Sequence, residues 1–277
     1  MRTDTRSLTK AHAIGVSLRH TLIQYCSRDW YLLKTRDQEK HPPLRELVMS
    51  PLNLYGSMLA TLSNVAVGSI PSAPNAWYKS GNFDLVANTW ADASGNGHTA
   101  TLHGTGLSAL FEAGHGASSK VVALSGDTNS QVLFGGTSHI IAPQFTVCSL
   151  QRYTGSAHRG RILDGVDINW IFGHHSGDAP VAFFGGWQTD PHAELLSDQT
   201  DWLAMCGSNK EAGGPLRYLA ADGSVATLPP YSTSVGHGDT ALAINAGMHA
   251  TQSSLFAVAE VITWPRHLST YEMDAVL

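Results

Sequence analysis

From Trp77 onward, apolar and polar residues alternate in short runs broken by Gly, Asn and Asp, the period of half-buried strands rather than of helices. QFTVCSLQRY (144–153) is a clear case. Phe145, Val147 and Ser149 fall on one face, and Thr146, Cys148 and Leu150 on the other. KVVALSG (120–126) and SQVLFGG (130–136) read as short strands bounded by glycine, and GRILDG (160–165) with INWIFGHH (168–175) as a hairpin. PVAFFGGWQ and DWLAMCGSN follow. In LRYLAADGSVATL, Asp222-Gly223 separates two apolar runs, a strong hairpin signal. SLFAVAEVITWP is almost continuously apolar and predicts a strand buried on both faces. HLSTYEMDAVL predicts one short helix, with Ser269 and Glu272 spaced as a capping box. Ten or more short strands without β-α-β alternation predict an all-β fold, a two-sheet antiparallel sandwich of the jelly-roll type with a short C-terminal helix.

Charge divides the chain before Trp77. Residues 1–48 hold nine Lys/Arg against five Asp/Glu, whereas residues 49–277 hold eight against seventeen. The first segment is a basic, Ser/Thr-rich N-terminal extension, helical or non-globular. It reads as a targeting segment of the transit type or as a gene-model artefact. Residues 49–75 form an apolar, signal-like stretch and a linker, with PSAP at 71–74. Pro, Gly, Asn and Ser interrupt the apolar part, so no transmembrane helix is expected. Residues 76–277 are the β domain. Its acidic balance excludes nucleic acid as a natural partner. The expected location is secreted or at the cell surface, or organellar if residues 1–48 act as a transit peptide. Cys148 and Cys206 both lie in strand-like runs; one disulfide and two buried free thiols both fit, and no CxxC or Cys/His cluster suggests zinc.

Several phrases taken in order carry a family resemblance. WADASGNGHTATLHG resembles the opening of the laminin G-like and pentraxin-like domains of the concanavalin A type. FTVCSLQRYTG with RGRIL, and NWIFGHHSG with AFFGGW, resemble the middle strands of that family's eukaryotic microbial branch. LAINAGMHATQSSLFAVAEVITWPRHLSTYEM resembles its ending. The resemblance covers about residues 76–277. It implies a concanavalin A-like β-sandwich and a tendency to bind glycans or protein surfaces, sometimes with calcium. The same fold also carries glycoside hydrolases, so it does not fix function.

The chemistry in the sequence points away from catalysis. The hydrolases of this fold carry Glu-x-Asp-x-x-Glu on one strand, because strand period two puts such carboxylates on one face. Glu112, Glu194, Glu211 and Glu260 each lack a carboxylate two residues away, and Asp164 and Asp167 are three apart. No nucleophile elbow or phosphate-cradling loop is present. Calcium needs oxygen ligands, which Asp92 and Asn96 in one turn, with Asp164 and Asp167, can supply; the competing reading is that they bond only their own turns. A sugar platform needs an aromatic face with polar groups around it. Trp170, His174, His175 and Trp187 are its candidates, with Arg159 and Arg161 beside Arg152 for an acidic glycan. Trp170 shares a strand face with Phe172, which favours the core for that ring; Trp202 and Trp264 also read as core. The expectation is a non-catalytic, lectin-like domain that binds a glycan or glycoprotein. The alternatives are a structural or protein-interaction module and a divergent glycoside hydrolase.

Overall fold

The computed structural model describes residues 70–277, apart from Ser197 and Ala221. The basic extension and nearly all of the signal-like stretch, residues 1–69, lie outside the described residues. The described part is almost wholly β. Its strands are β1 (Ala76–Asp84), β2 (Thr89–Asp92), β3 (Ala100–His103), β4 (Ser108–Gly114), β5 (Ala117–Gly126), β6 (Gln131–Phe134), β7 (Thr146–Tyr153), β8 (Leu163–Gly165), β9 (Trp170–His175), β10 (Asp178–Phe184), β11 (Leu203–Glu211), β12 (Gly214–Leu219), β13 (Val225–Thr227), β14 (Leu242–Ile244) and β15 (Phe256–Trp264). A single α-helix, α1 (Thr270–Val276), follows. No helix among the described residues is long and apolar enough to cross a membrane.

The strands hydrogen-bond in the order β10-β9-β8-β14-β6-β3-β2-β1-β15-β7-β11-β12-β13, and every ladder is antiparallel. The path branches at β15. The second half of β15 pairs with β1, its first half with β5, and its other edge with β7 along nearly its whole length. β4 pairs only with β5. Both halves of the path turn one face to a shared core. Val132, Trp170, Phe172, Phe184 and Leu242 come from one side and Tyr78, Val147, Leu203, Leu216, Val258 and Val261 from the other, all fully buried. The alternation along β7 is realised: Val147 enters this core, while Cys148 faces outward beneath α1.

The outward face of the β15–β7–β11 region carries two smaller apolar clusters. Ile262, Trp264, Leu268 and Met273 form one, closed by α1 and by Ile70 and Trp77. Cys148 and Cys206 lie within it. They stand directly opposite each other on β7 and β11, with Cα atoms 4.1 Å apart, and are joined by a disulfide. Ala123, Trp202, Ala257 and Ala259 form the second cluster, under the β4–β5 hairpin. α1 begins as its spacing predicts: Glu272 N–H donates to the Ser269 side chain, while the Glu272 carboxylate accepts from the Ser269 backbone.

The expected hairpins are present. β9 and β10 close over Ser176-Gly177 between paired His175 and Asp178, and both turn residues are left-handed, φ 53° and 94°. That geometry matches the twist of the two strands, and glycine at the second position adopts it without strain. β12 and β13 close over the turn that contains Asp222-Gly223.

Candidate functional site

The sequence candidates separate by strand parity. Trp170 and His174 are on the inward face of β9 and are completely buried. The Trp170 ring stacks on Phe184 at 5.1 Å and tilts against Phe145 at 5.9 Å. His174 meets Tyr153 edge-to-face at 4.7 Å, and neither of its ring nitrogens has a hydrogen-bond partner. Burial, reinforced by the charge of Arg159, lowers its pKa to about 3, so the ring is neutral. These two residues serve the core and offer no surface to a glycan, which corrects the expectation that placed them on a platform.

His175 and Trp187 face the other way and do meet. Their rings lie 5.6 Å apart, and Phe183 packs against Trp187 at 5.2 Å. All three are half-buried. Burial first, and then the Arg161 charge, hold the His175 pKa below its ordinary value. Arg161 is not a free cation. It is buried and donates to Asp164 at 2.9 Å, Asn169 at 2.7 Å and Gln252 at 2.7 Å. Arg159 donates to the Gly155 carbonyl, with its guanidinium 5.8 Å from the Tyr153 ring. Arg152 is buried against Glu112 and the Thr200 carbonyl. The arginine cluster is therefore engaged within the protein, and the acidic-glycan reading of it is corrected: Arg152 and Arg161 already have their carboxylates.

The four calcium candidates are similarly occupied. Asp92 accepts from the Trp77, Ser94 and His98 backbone N–H groups and from the Ser94 hydroxyl, at 2.8–3.0 Å. Asn96 donates to the Pro74 and Asn75 carbonyls. Asp164 pairs with Arg161 and accepts from the His249 backbone; burial pushes its carboxyl up against the pull of that arginine. Asp167 accepts from Ala241 N–H and lies 3.2 Å from His139. Among the described residues, no group of three or more His, Cys, Asp or Glu side chains is placed to hold a metal ion. Asp92 and Asn96 are turn-builders here, as their spacing also allows.

A concave feature lies elsewhere, on the outward face of β7, β11 and β12. A cavity of about 450 Å³ has Leu150 and Ala204 on its floor, and these two face each other across the β7–β11 ladder. Leu219 extends the floor. Ala117, Ser118, Ser119 and Val121 of the β4–β5 hairpin form one wall, and Leu195 and Leu196 contribute from the loop before β11. Asp201, Trp202 and the Asp222-Gly223 turn complete it. Trp202 N–H donates to the His115 carbonyl, which ties the loop to the hairpin tip. The Arg152 guanidinium lies 5.3 Å from the Trp202 ring. The result is an apolar floor with hydroxyls and carboxylates around it.

None of this cavity was among the sequence candidates. The aromatic-acid pair Asp201-Trp202 and the Asp-Gly turn were visible, but only strand register brings them together. Asp222 is held below the ordinary carboxyl range by the Ser224 hydroxyl and N–H, the opposite of what a general acid requires.

No protein-family model matches this chain, and no curated protein matches it. Solved structures show distant likeness. A Trypanosoma rangeli sialidase in complex with the inhibitor DANA is 11% identical with a TM-score of 0.47, over 83% of this chain and 39% of that one. The chain thus spans well under half the sialidase's length. Domain 4 of AbnA, a GH43 extracellular arabinanase from Geobacillus stearothermophilus, in complex with arabinotriose, is 12% identical with a TM-score of 0.49, over 74% and 98%. An arabinofuranosidase complexed with arabinofuranosyl-alpha-1,2-xylobiose is 12% identical with a TM-score of 0.47, over 68% and 49%. Likenesses this distant carry no conclusion about function.

Proposed function

We propose that residues 76–277 form a non-catalytic, lectin-like domain, a concanavalin A-type jelly roll resembling the laminin G-like and pentraxin-like domains. It holds a sugar of a glycan or glycoprotein outside the cell or at its surface. The observation that carries this reading is the cavity on β7, β11 and β12. Its size suits one or two sugar rings, its apolar floor suits the C–H face of a sugar, and its oxygen-bearing rim suits hydroxyls. Two faces packed on one core support the jelly-roll sandwich, and the buried disulfide is compatible with an oxidising compartment. The carboxylates of Asp201 and Asp222 give a glycosidase reading some footing, but the lowered Asp222 pKa speaks against an acid role there.

The test is a glycan array probed with the full chain, with calcium and with EDTA, beside an Ala204→Phe variant that fills the floor. The expected result is binding that survives EDTA, is lost in Ala204→Phe, and releases no sugar. A folded protein that binds no glycan makes the protein-interaction module the better reading. Release of reducing sugar makes it a hydrolase.

A further inference from the structure

The charge at the cavity is one-sided. Asp201 and Asp222 line it, and no Lys, Arg or His does. Among the described residues Asp201 accepts one hydrogen bond, from Asp198 N–H at 3.2 Å. Asp222 uses one oxygen for the Ser224 N–H and hydroxyl. Each carboxylate keeps an oxygen with no donor among the described residues. The cations nearby are directed elsewhere. Lys120 sits 4.7 Å over the Phe111 ring, Arg152 is held by Glu112, and Arg217 makes a two-pronged pair with Asp274. A second feature of the lining points to a polar ligand independently of charge. Trp202 is nine-tenths buried, yet its indole N–H has no acceptor among the described residues. A buried donor left unpaired is costly, and a ligand oxygen that reached it would offset that cost.

We infer that this cavity selects a sugar bearing a protonated amine, a 2-amino-2-deoxy sugar or its oligomer, and rejects carboxylated and sulfated glycans. The inference rests on the glycan-binding reading and names its ligand class. The ring's apolar face lies on Leu150 and Ala204. The ammonium takes an open carboxylate oxygen of Asp201 or Asp222, replacing water there with a charge-assisted hydrogen bond. An acidic glycan meets two like charges with no cationic side chain in the lining.

The experiment compares binding of the full chain to fully deacetylated chitosan oligomers, their N-acetylated counterparts, neutral glucans and heparin, at low and high salt. Asp222→Asn, on an exposed turn that asparagine also supports, is the first variant; Asp201→Asn with Asp222→Asn is the second, and Glu211→Gln controls for overall charge. The expected result is a preference of about fivefold or more for the amine over its acetylated form. That preference should shrink with salt, persist in Glu211→Gln, and fall away in the aspartate variants. Equal binding of aminated, acetylated and neutral sugars overturns the inference and leaves the glycan reading standing, and so does preferential binding of heparin. Binding to no sugar of any class overturns both.

Discussion

His174→Phe isolates the contribution of one buried imidazole to acid sensitivity. The ring is completely buried, packs edge-to-face on Tyr153, and has no partner for either nitrogen. Its folded pKa is about 3, against an ordinary value of 6.5. The folded protein thus keeps it neutral while the unfolded chain takes up a proton as pH falls below 6.5. A lowered histidine pKa means stability fully present above 6.5 and lost progressively down to the folded value. With an unfolded pKa near 6.5, the loss between pH 7 and pH 4.5 is ~2.6 kcal/mol, approaching ~1.4 kcal/mol per pH unit. Phenylalanine keeps the aromatic contact and removes the titration. It also removes two unpaired polar atoms, so the variant should be at least as stable at neutral pH. The assay is urea unfolding of both proteins across that range, followed by tryptophan fluorescence. The other carboxyls and histidines titrate in both, so the difference between the curves reports His174. Parallel curves would refute the reasoning, because they would mean that the site is hydrated or that the ring is paired in solution.

Cys148 and Cys206 are sealed under α1, so reductant alone should leave the disulfide intact, and free-thiol labelling should appear only with denaturant; the double alanine variant should lose about 4 kcal/mol, given a 58-residue separation. Asp92→Ala removes an acceptor of four hydrogen bonds and should cost about 2–4 kcal/mol in chemical unfolding, whereas added calcium or EDTA should not move the Tm. His139 lies between Asp167 and Asp239, at 3.2 and 2.9 Å, and these acids raise its pKa. A raised pKa stabilises below the unfolded value and fades as pH rises through the folded one. His139→Gln should therefore lower the Tm slightly in mild acid and leave it unchanged in mild alkali.

What the sequence disclosed was local. Strand alternation placed Val147 inward and Cys148 outward, Asp222-Gly223 marked a turn, and Ser269 with Glu272 marked a helix start; each signal lies within a few residues. The β4 strand gave a weaker signal. In SALFEAG only Leu110 and Glu112 are half-buried, and Phe111 is exposed, so no face of the strand reads as core. His174 and His175 look alike in sequence, yet period two sends one into the core and the other against Trp187. The cavity was not legible, because its floor pairs Leu150 with Ala204 through a register between strands far apart in the chain. The arginines misled for a related reason: Arg161 finds Gln252, and Arg152 finds Glu112, only after folding.

The branching of the sheet at β15 has a consequence for how the protein is made. β1, β5 and β7 all hydrogen-bond to β15, and all precede it in the chain. During vectorial synthesis, β1 must wait for this second partner until 187 positions later, from Ala76 to Thr263, which at ribosomal rates is about 10–40 s. Throughout that interval Tyr78, and Val147 once it is made, have no completed sheet to bury them. Such long-range pairing is slow to form and leaves apolar edges open to mispairing. The nascent chain is therefore the stage at which these edges stay open longest.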